Sequence, residues 1–328
     1  MDRLVSAHVD YVTDPGGSSD PIGFLLDAIA QPGSVLLLAI GLLVVVIALL
    51  AWARWRPAEE ARARFIERAL GYREYLPWIV RLSVGLVLIG AGLSRVRFLP
   101  TLDAGGLFAV LLTGTGFLLL LGLAVRPAAL VALGAYLVTF IANPDLVMML
   151  DVAGALGVAA ILGPGRPSLD DLLRAAFPGG PGARAATENF AASQYDDTVP
   201  LLVRLGLGGA FAASGIVDKL LIYDQALAAV DRYQLTSIVP VAPELWVLGA
   251  ILIETALGVA IILGVLTRFS AIVGFAVLTL ALFALPDDPV IAHVGLFGLS
   301  SMLVILGGGR WSLDRAVLAP LGERLRRD

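Results

Sequence analysis

Long apolar stretches, broken by short segments carrying charge, glycine or proline, set the pattern of this chain. A helix rises about 1.5 Å per residue, so crossing about 30 Å of hydrocarbon takes roughly 20 apolar residues. Nine stretches of that order lie between charges, at roughly 34–53, 77–95, 104–125, 127–144, 146–163, 200–218, 245–266, 269–286 and 289–307. Arg126-Pro127 separates the third from the fourth and predicts a tight hairpin in place of one long helix. Residues 34–53 are uncharged and lead into an Arg-rich flank, which fits a retained anchor better than a cleaved signal sequence.

Stretches two to five and six to nine repeat each other. Pro77-Trp78-Ile79-Val80-Arg81-Leu82 with Gly85 and Gly92 matches Pro200-Leu201-Leu202-Val203-Arg204-Leu205 with Gly208 and Gly215, at an offset of 123. Gly122-Leu123-Ala124-Val125-Arg126 matches Gly264-Val265-Leu266-Thr267-Arg268 at 142. Gly163-Pro164-Gly165-Arg166-Pro167-Ser168-Leu169-Asp170 matches Gly307-Gly308-Gly309-Arg310-Trp311-Ser312-Leu313-Asp314 at 144. An even number of crossings per copy makes the two units parallel. The growth in offset places an insertion at about 222–244, read as a short interfacial helix and turn.

The expected fold is all-α: a polytopic membrane protein with nine transmembrane helices, built as one anchor plus two parallel four-helix bundles. The expected division is an outer N-terminal segment (1–33), the anchor (34–53), an amphipathic inner-surface segment (54–75), a degenerate four-helix unit (76–175), an inner linker (176–197), a second four-helix unit (198–318) and a basic inner tail (319–328).

Composition agrees. Of the 328 residues 58% are hydrophobic and 15% charged, against about a quarter charged in soluble domains, which argues against a water-soluble enzyme or nucleic-acid binder. With no cysteine, thiolate chemistry, disulfides and iron–sulfur clusters are excluded. Only Arg3, Arg95, Arg97, Lys219 and Arg232 of the 23 basic residues fall on one side of the threaded chain. The positive-inside rule then predicts a multi-pass cell-membrane protein with its N-terminus outside and its C-terminus cytoplasmic.

The second unit resembles the DoxX superfamily of four-helix membrane proteins, including DoxD and the MauE-like branch. The resemblance rests on Arg204-Leu205-Gly206-Leu207-Gly208, Ser214-Gly215-Ile216-Val217-Asp218-Lys219-Leu220, Glu254 with Gly258, Leu263-Gly264 to Thr267-Arg268, and Gly309-Arg310-Trp311-Ser312-Leu313-Asp314. The first unit keeps Arg81, Arg126 and the Arg166 turn but has Val96 where the second has Lys219, and Leu112 or Thr113 near the position of Glu254. The resemblance implies a membrane component tied in some members to quinone-dependent sulfur redox chemistry, or to assembly and chaperone roles.

An ionisable residue at mid-membrane costs about 2.5–3.5 kcal/mol, so each needs a reason. Glu254 lies nine residues into its helix, roughly 13 Å deep, where beside a cation it can hydrogen-bond a quinone carbonyl or relay a proton, or else simply tie helices together. Arg204, Gly208, Ala212, Gly215 and Lys219 form one small-residue stripe with a cation at each end, expected to face Glu254 as a ligand groove or as close helix packing. His293 is a candidate proton donor beside Glu254, with hydrogen bonding to a neighbouring helix as the plainer reading. Asp218 and Asp151 are secondary candidates, Asp151 with pairing to Arg95 or Arg97 as its structural account.

A lone intramembrane histidine leaves a haem without a second ligand, and neither haem nor metal is expected. The Gly-Arg-Ser-Leu-Asp turns lack the ending of a phosphate loop and read as helix ends in which Ser168 or Ser312 caps a short helix. The leading expectation is a redox-associated subunit that binds a quinone or similar lipid in the second bundle. A non-enzymatic assembly factor and a small-solute carrier are the alternatives. Expected partners are membrane lipids and either a soluble redox protein or a client membrane protein, with no nucleic acid.

Overall fold

A computed structural model describes residues 20–31, 33–54, 57–93, 105–177 and 192–318. Among the described residues all regular structure is helical. Two helices lead the chain, α1 (Pro21–Ala30) and α2 (Ser34–Arg54), followed by α3 (Pro57–Leu70) in the predicted amphipathic segment. Then come α4 (Leu76–Leu93), α5 (Gly105–Leu121), α6 (Val125–Ala142), α7 (Leu150–Leu162) and the short α8 (Leu169–Ala176). The second half has α9 (Ala192–Ala213), α10 (Tyr223–Arg232), α11 (Pro243–Leu263), α12 (Thr267–Ala284) and α13 (Val290–Leu306).

Among the described residues helix runs through part of each of the nine apolar stretches, and six segments are long and apolar enough to cross a membrane: Arg73–Leu93, Val125–Ala142, Pro144–Leu162, Asp197–Leu221, Pro243–Leu263 and Thr267–Ala284. Gly106–Leu121 and Val290–Leu306 are shorter apolar helices, and Pro21–Ala30 with Ser34–Leu43 passes the same test only as a pair bent by 89°. The chain is thus an all-helical integral membrane protein with several spans. The insertion at 222–244 contains α10 and a short helical turn, Leu235–Ser237, as its spacing predicts. One boundary shifts: α9 starts at Ala192, inside the expected linker, and carries Pro200 within it. Residues 178–191 of that linker lie outside the described residues, as do Arg3, Arg95, Val96, Arg97 and the basic tail.

Four inner helices, α4, α7, α9 and α13, carry most of the buried core, with α5, α6, α11 and α12 packed outside them. Within the first half α4 lies on α5 and α6 on α7, and within the second α9 lies on α11 and α12 on α13. Between halves the pairing is reciprocal, α4 against α13 and α9 against α7. A single apolar cluster runs from Leu76 to Leu306 through both halves.

Small residues permit these crossings, because dispersion contact between backbones drives helix association in lipid. A Cβ added to Gly154 would lie 2.8 Å from the Gly206 Cα, so α7 and α9 touch through their backbones. At the reciprocal crossing Gly298 of α13 receives the Ser83 side chain of α4. Gly208 and Gly258 make a similar approach between α9 and α11, as Gly85 and Gly116 do between α4 and α5. Gly154→Leu is expected to force α7 from α9 and destabilise the protein by at least the about 1–3 kcal/mol typical of overpacking. Gly249→Leu, at a glycine with nothing within 4 Å, should leave the thermal unfolding midpoint in detergent nearly unchanged, and comparing the two midpoints checks this.

Candidate functional site

Polar side chains gather at opposite ends of the helices. One end is rich in arginine. The Arg204 guanidinium is buried and donates through Nε to the Ile261 carbonyl at 3.0 Å, through Nη1 to Gly308 and Trp311, each at 3.0 Å, and through Nη2 to Ile262. Arg81 repeats this arrangement, donating to Leu119 at 3.1 Å, Leu120 at 3.2 Å, Pro167 at 3.0 Å and Pro164. Helix C-termini leave carbonyls without intrahelical donors, and the planar arginine fork serves several of them while its charge faces the negative end of the helix dipole.

Beside each arginine a carboxylate caps the next helix. Asp314 accepts from the Leu266 amide at 2.6 Å, the Thr267 amide at 2.8 Å and the Thr267 hydroxyl at 2.7 Å, while Asp170 accepts from the Ala124 amide at 3.0 Å. Gly122 and Gly264, with φ of +73° and +69°, make the turns that bring these groups together. Ser168 caps α8 as its sequence suggests, accepting from the Asp171 amide at 3.2 Å. Ser312 instead donates to the Gly309 carbonyl at 2.8 Å. Arg204 is therefore held at this end by backbone carbonyls, one stripe length from Lys219 and apart from the acidic cluster.

That cluster occupies the other end of the second half. After Ala213 the helix loosens into a π-helical turn, Ser214–Leu221, whose i to i+5 pairing puts residues five apart on one face. Lys219 Nζ thereby donates to Ser214 Oγ at 2.9 Å and lies 2.7 Å from Glu254 Oε2 of α11. Ser214 Oγ lies 3.4 Å from Asp218 Oδ2, and the Asp218 carboxylate is fully buried. From the start of α13, His293 directs Nε2 to Asp288 Oδ2 at 3.3 Å and Nδ1 to the Pro289 carbonyl at 3.4 Å. Asp288 is itself buried and its charge attracts Lys219 through space.

Glu254 thus faces the stripe, as predicted, through Lys219, and Thr255 beside it rests on Gly215. Buried Gln225, from α10, and Thr255 have side-chain oxygens with no hydrogen-bond partner among the described residues. Above the cluster Asp287 accepts from Arg232 at 2.7 Å and from the Tyr233 hydroxyl at 2.8 Å, fastening α10 to the Pro286–Pro289 loop. Partial burial and the Asp287 hydrogen bond push the Tyr233 phenol from 10.0 up to about 12. Because the folded value is the higher one, this contact holds below pH 10 and is lost as pH rises towards about 12.

Structure unites Lys219, Glu254 and Asp218 and puts His293 with Asp288 beside them. Asp151 stands elsewhere, buried in the first turn of α7 and packed against Gly295 of α13. Its proposed partners, Arg95 and Arg97, lie outside the described residues. Counted by the offsets of the matched sequence segments, Leu112 or Thr113 falls near the position of Glu254 and Met149 at that of His293.

Ser214, Thr255 and Asp288 join the cluster without having been singled out by sequence. Asp288 carries the clearest missed signal, an acid between two prolines five residues before the lone membrane histidine. Among the described residues no three His, Asp or Glu side chains converge as a metal-ligand set. Arg204→Lys tests the role of the guanidinium: a lysine cannot reach carbonyls from two helix ends at once, and each carbonyl left without a donor should cost about 1–3 kcal/mol in denaturant unfolding.

Against known protein families, residues 199–287 match the family model for DoxX. No curated protein and no solved structure matches the chain. The matched segment contains Arg204, Asp218, Lys219 and Glu254, and it ends one residue before Asp288.

Proposed function

We propose that this integral membrane protein, whose residues 199–287 form a DoxX domain, is a redox-associated membrane subunit that holds the headgroup of a quinone at the Lys219–Glu254 cluster. One observation carries the reading: an ion pair of 2.7 Å, with both side chains only 16% exposed, sits on a π-helical turn beside further buried acids and a histidine. Removing two charges from water is costly, and hydrophobic packing of the same volume would serve stability as well or better, so a buried pair is better explained by a task. π-Helical turns recur at functional sites for a related reason, since they trade hydrogen-bond geometry for a side-chain placement an α-helix cannot supply.

The donor set suits such a headgroup. Lys219 and His293 are donors to a carbonyl oxygen, Glu254, Asp218 and Asp288 are acceptors for a proton, and the oxygens of Gln225 and Thr255 have capacity left over. A bound quinone would supply two-electron, two-proton redox chemistry. The chain's own part is to orient one carbonyl with Lys219, to keep bulk water from it with α10 and the Asp287 contacts, and to hand a proton on between neighbouring carboxylates.

The arrangement of the chain is part of the same proposal. Nine crossings, with the arginine-rich end in the cytoplasm, satisfy the positive-inside rule. Duplication of a four-helix unit accounts for the matched offsets and for the like settings of Arg81 and Arg204, with polar chemistry retained in the second unit. The absence of cysteine makes orientation simple to test. In intact cells, Ser237→Cys should react with a membrane-impermeant maleimide and Arg315→Cys only after permeabilisation.

Function is tested by the isoprenoid quinone retained per protein after mild-detergent purification. Wild type is expected to hold close to one equivalent and Glu254→Gln at least tenfold less. Background levels in both would overturn the quinone reading and favour an assembly factor, which predicts a client protein that co-purifies and no turnover.

A further inference from the structure

At the opposite end of the helices, and independent of the polar cluster, an apolar groove of about 750 Å³ opens along the seam between the two halves. Its walls come from α4, α12, α13 and the turn before α4, and include Tyr72, Tyr75, Trp78, Ile272, Phe275 and Ile305. Phe275 stacks edge-on against Phe297 with ring centroids 4.7 Å apart, which fixes one wall. The lining exposes almost no polar atoms, as befits a trough for hydrocarbon.

Packing between the halves does not require these aromatic residues. By the same offsets, the other α-helical seam has Leu201 for Trp78, Leu133 for Phe275 and Gly157 for Ser301. Tyr and Trp at a groove rim suit the boundary between headgroups and acyl chains.

Positive charge gathers at the head of the groove. Arg268 is one turn before Ile272 and donates to the carbonyls of Val304 and Ile305, both wall residues, at 3.0 and 3.2 Å. Arg73 sits between Tyr72 and Tyr75 in sequence, and α3, which carries Arg62, packs on α13. The charges of Asp314, Arg73 and Arg62 all reach Arg268, so three arginines share this corner with one carboxylate. An anion suits a corner where arginines outnumber the carboxylate, and in a membrane an anion joined to acyl chains fills the groove as well.

We infer that this seam is a binding site for an anionic phospholipid, with its phosphate at Arg62, Arg73 and Arg268 and an acyl chain against Trp78 and Phe275. The test uses the full-length protein in mild detergent, offered dioleoyl phosphatidylglycerol and dioleoyl phosphatidylcholine at equal mole fraction, with bound lipid counted by native mass spectrometry. Phosphatidylglycerol should be retained at least tenfold over phosphatidylcholine. Arg62→Ala with Arg73→Ala should weaken it by roughly fivefold per arginine removed. Arg62→Lys with Arg73→Lys should preserve it, which separates lost charge from lost fold.

Phe275→Ala leaves every arginine in place and should also lower retention. Equal retention of the two lipids by wild type, an unchanged preference in the double alanine variant, or full retention in Phe275→Ala would each overturn the inference. Complete displacement by inorganic phosphate at matched concentration would overturn it too, by showing that the groove contributes nothing.

Discussion

A helix that ends inside or at the edge of hydrocarbon leaves carbonyl oxygens that no water can reach, and this constraint organises the bundle. Arg204 answers it by joining the end of α11 to the turn after α13, and Arg81 does so for α5 and the turn after α7. Because each guanidinium grips two chain segments far apart in sequence, it fixes both the depth of those helices and the angle at which they leave. Asp314 and Asp170 extend the network from carbonyls to amides at the start of the next helices. With the basic end locked in this way, the opposite end of the second half can carry charges whose own contribution to stability is doubtful.

Much of this was legible because lipid imposes a simple code. Apolar length gave the helices, and the break at Arg126-Pro127 separated α5 from α6. Helical spacing from Arg204 to Lys219 correctly turned that stripe towards Glu254. Less visible was the π-helical turn, since nothing in Ser214–Leu221 announces a change from i+4 to i+5 pairing. The same limit hid Ser214 as a Lys219 partner. Arg204 looked like a ligand-binding cation because sequence shows charge and depth but not the carbonyls waiting at the end of another helix. Asp288 escaped because it lies on a loop outside the transmembrane pattern.

The two halves share supports and differ in contents. Both have the arginine fork, the capping aspartate and the glycine crossings, yet the Lys219–Glu254 pair belongs to the second. Asp151 breaks the rule in the other direction, a buried carboxylate opposite a glycine at the interface of α7 and α13. The first half is therefore more than inert scaffolding for the second: each inner helix of one half is completed by the other, and neither pair of inner helices buries its surface alone.

The π-helical turn has a consequence for how this site can change over time. One additional residue within a helix advances everything beyond it by about 100° around the axis. Return of Ser214–Leu221 to regular pitch would set Ser214 and Lys219 about 140° apart around the axis and part their contact, with no charged residue altered. The chemistry of the second half is thus set by phase as much as by composition, and related chains with identical polar residues can differ in whether those residues meet.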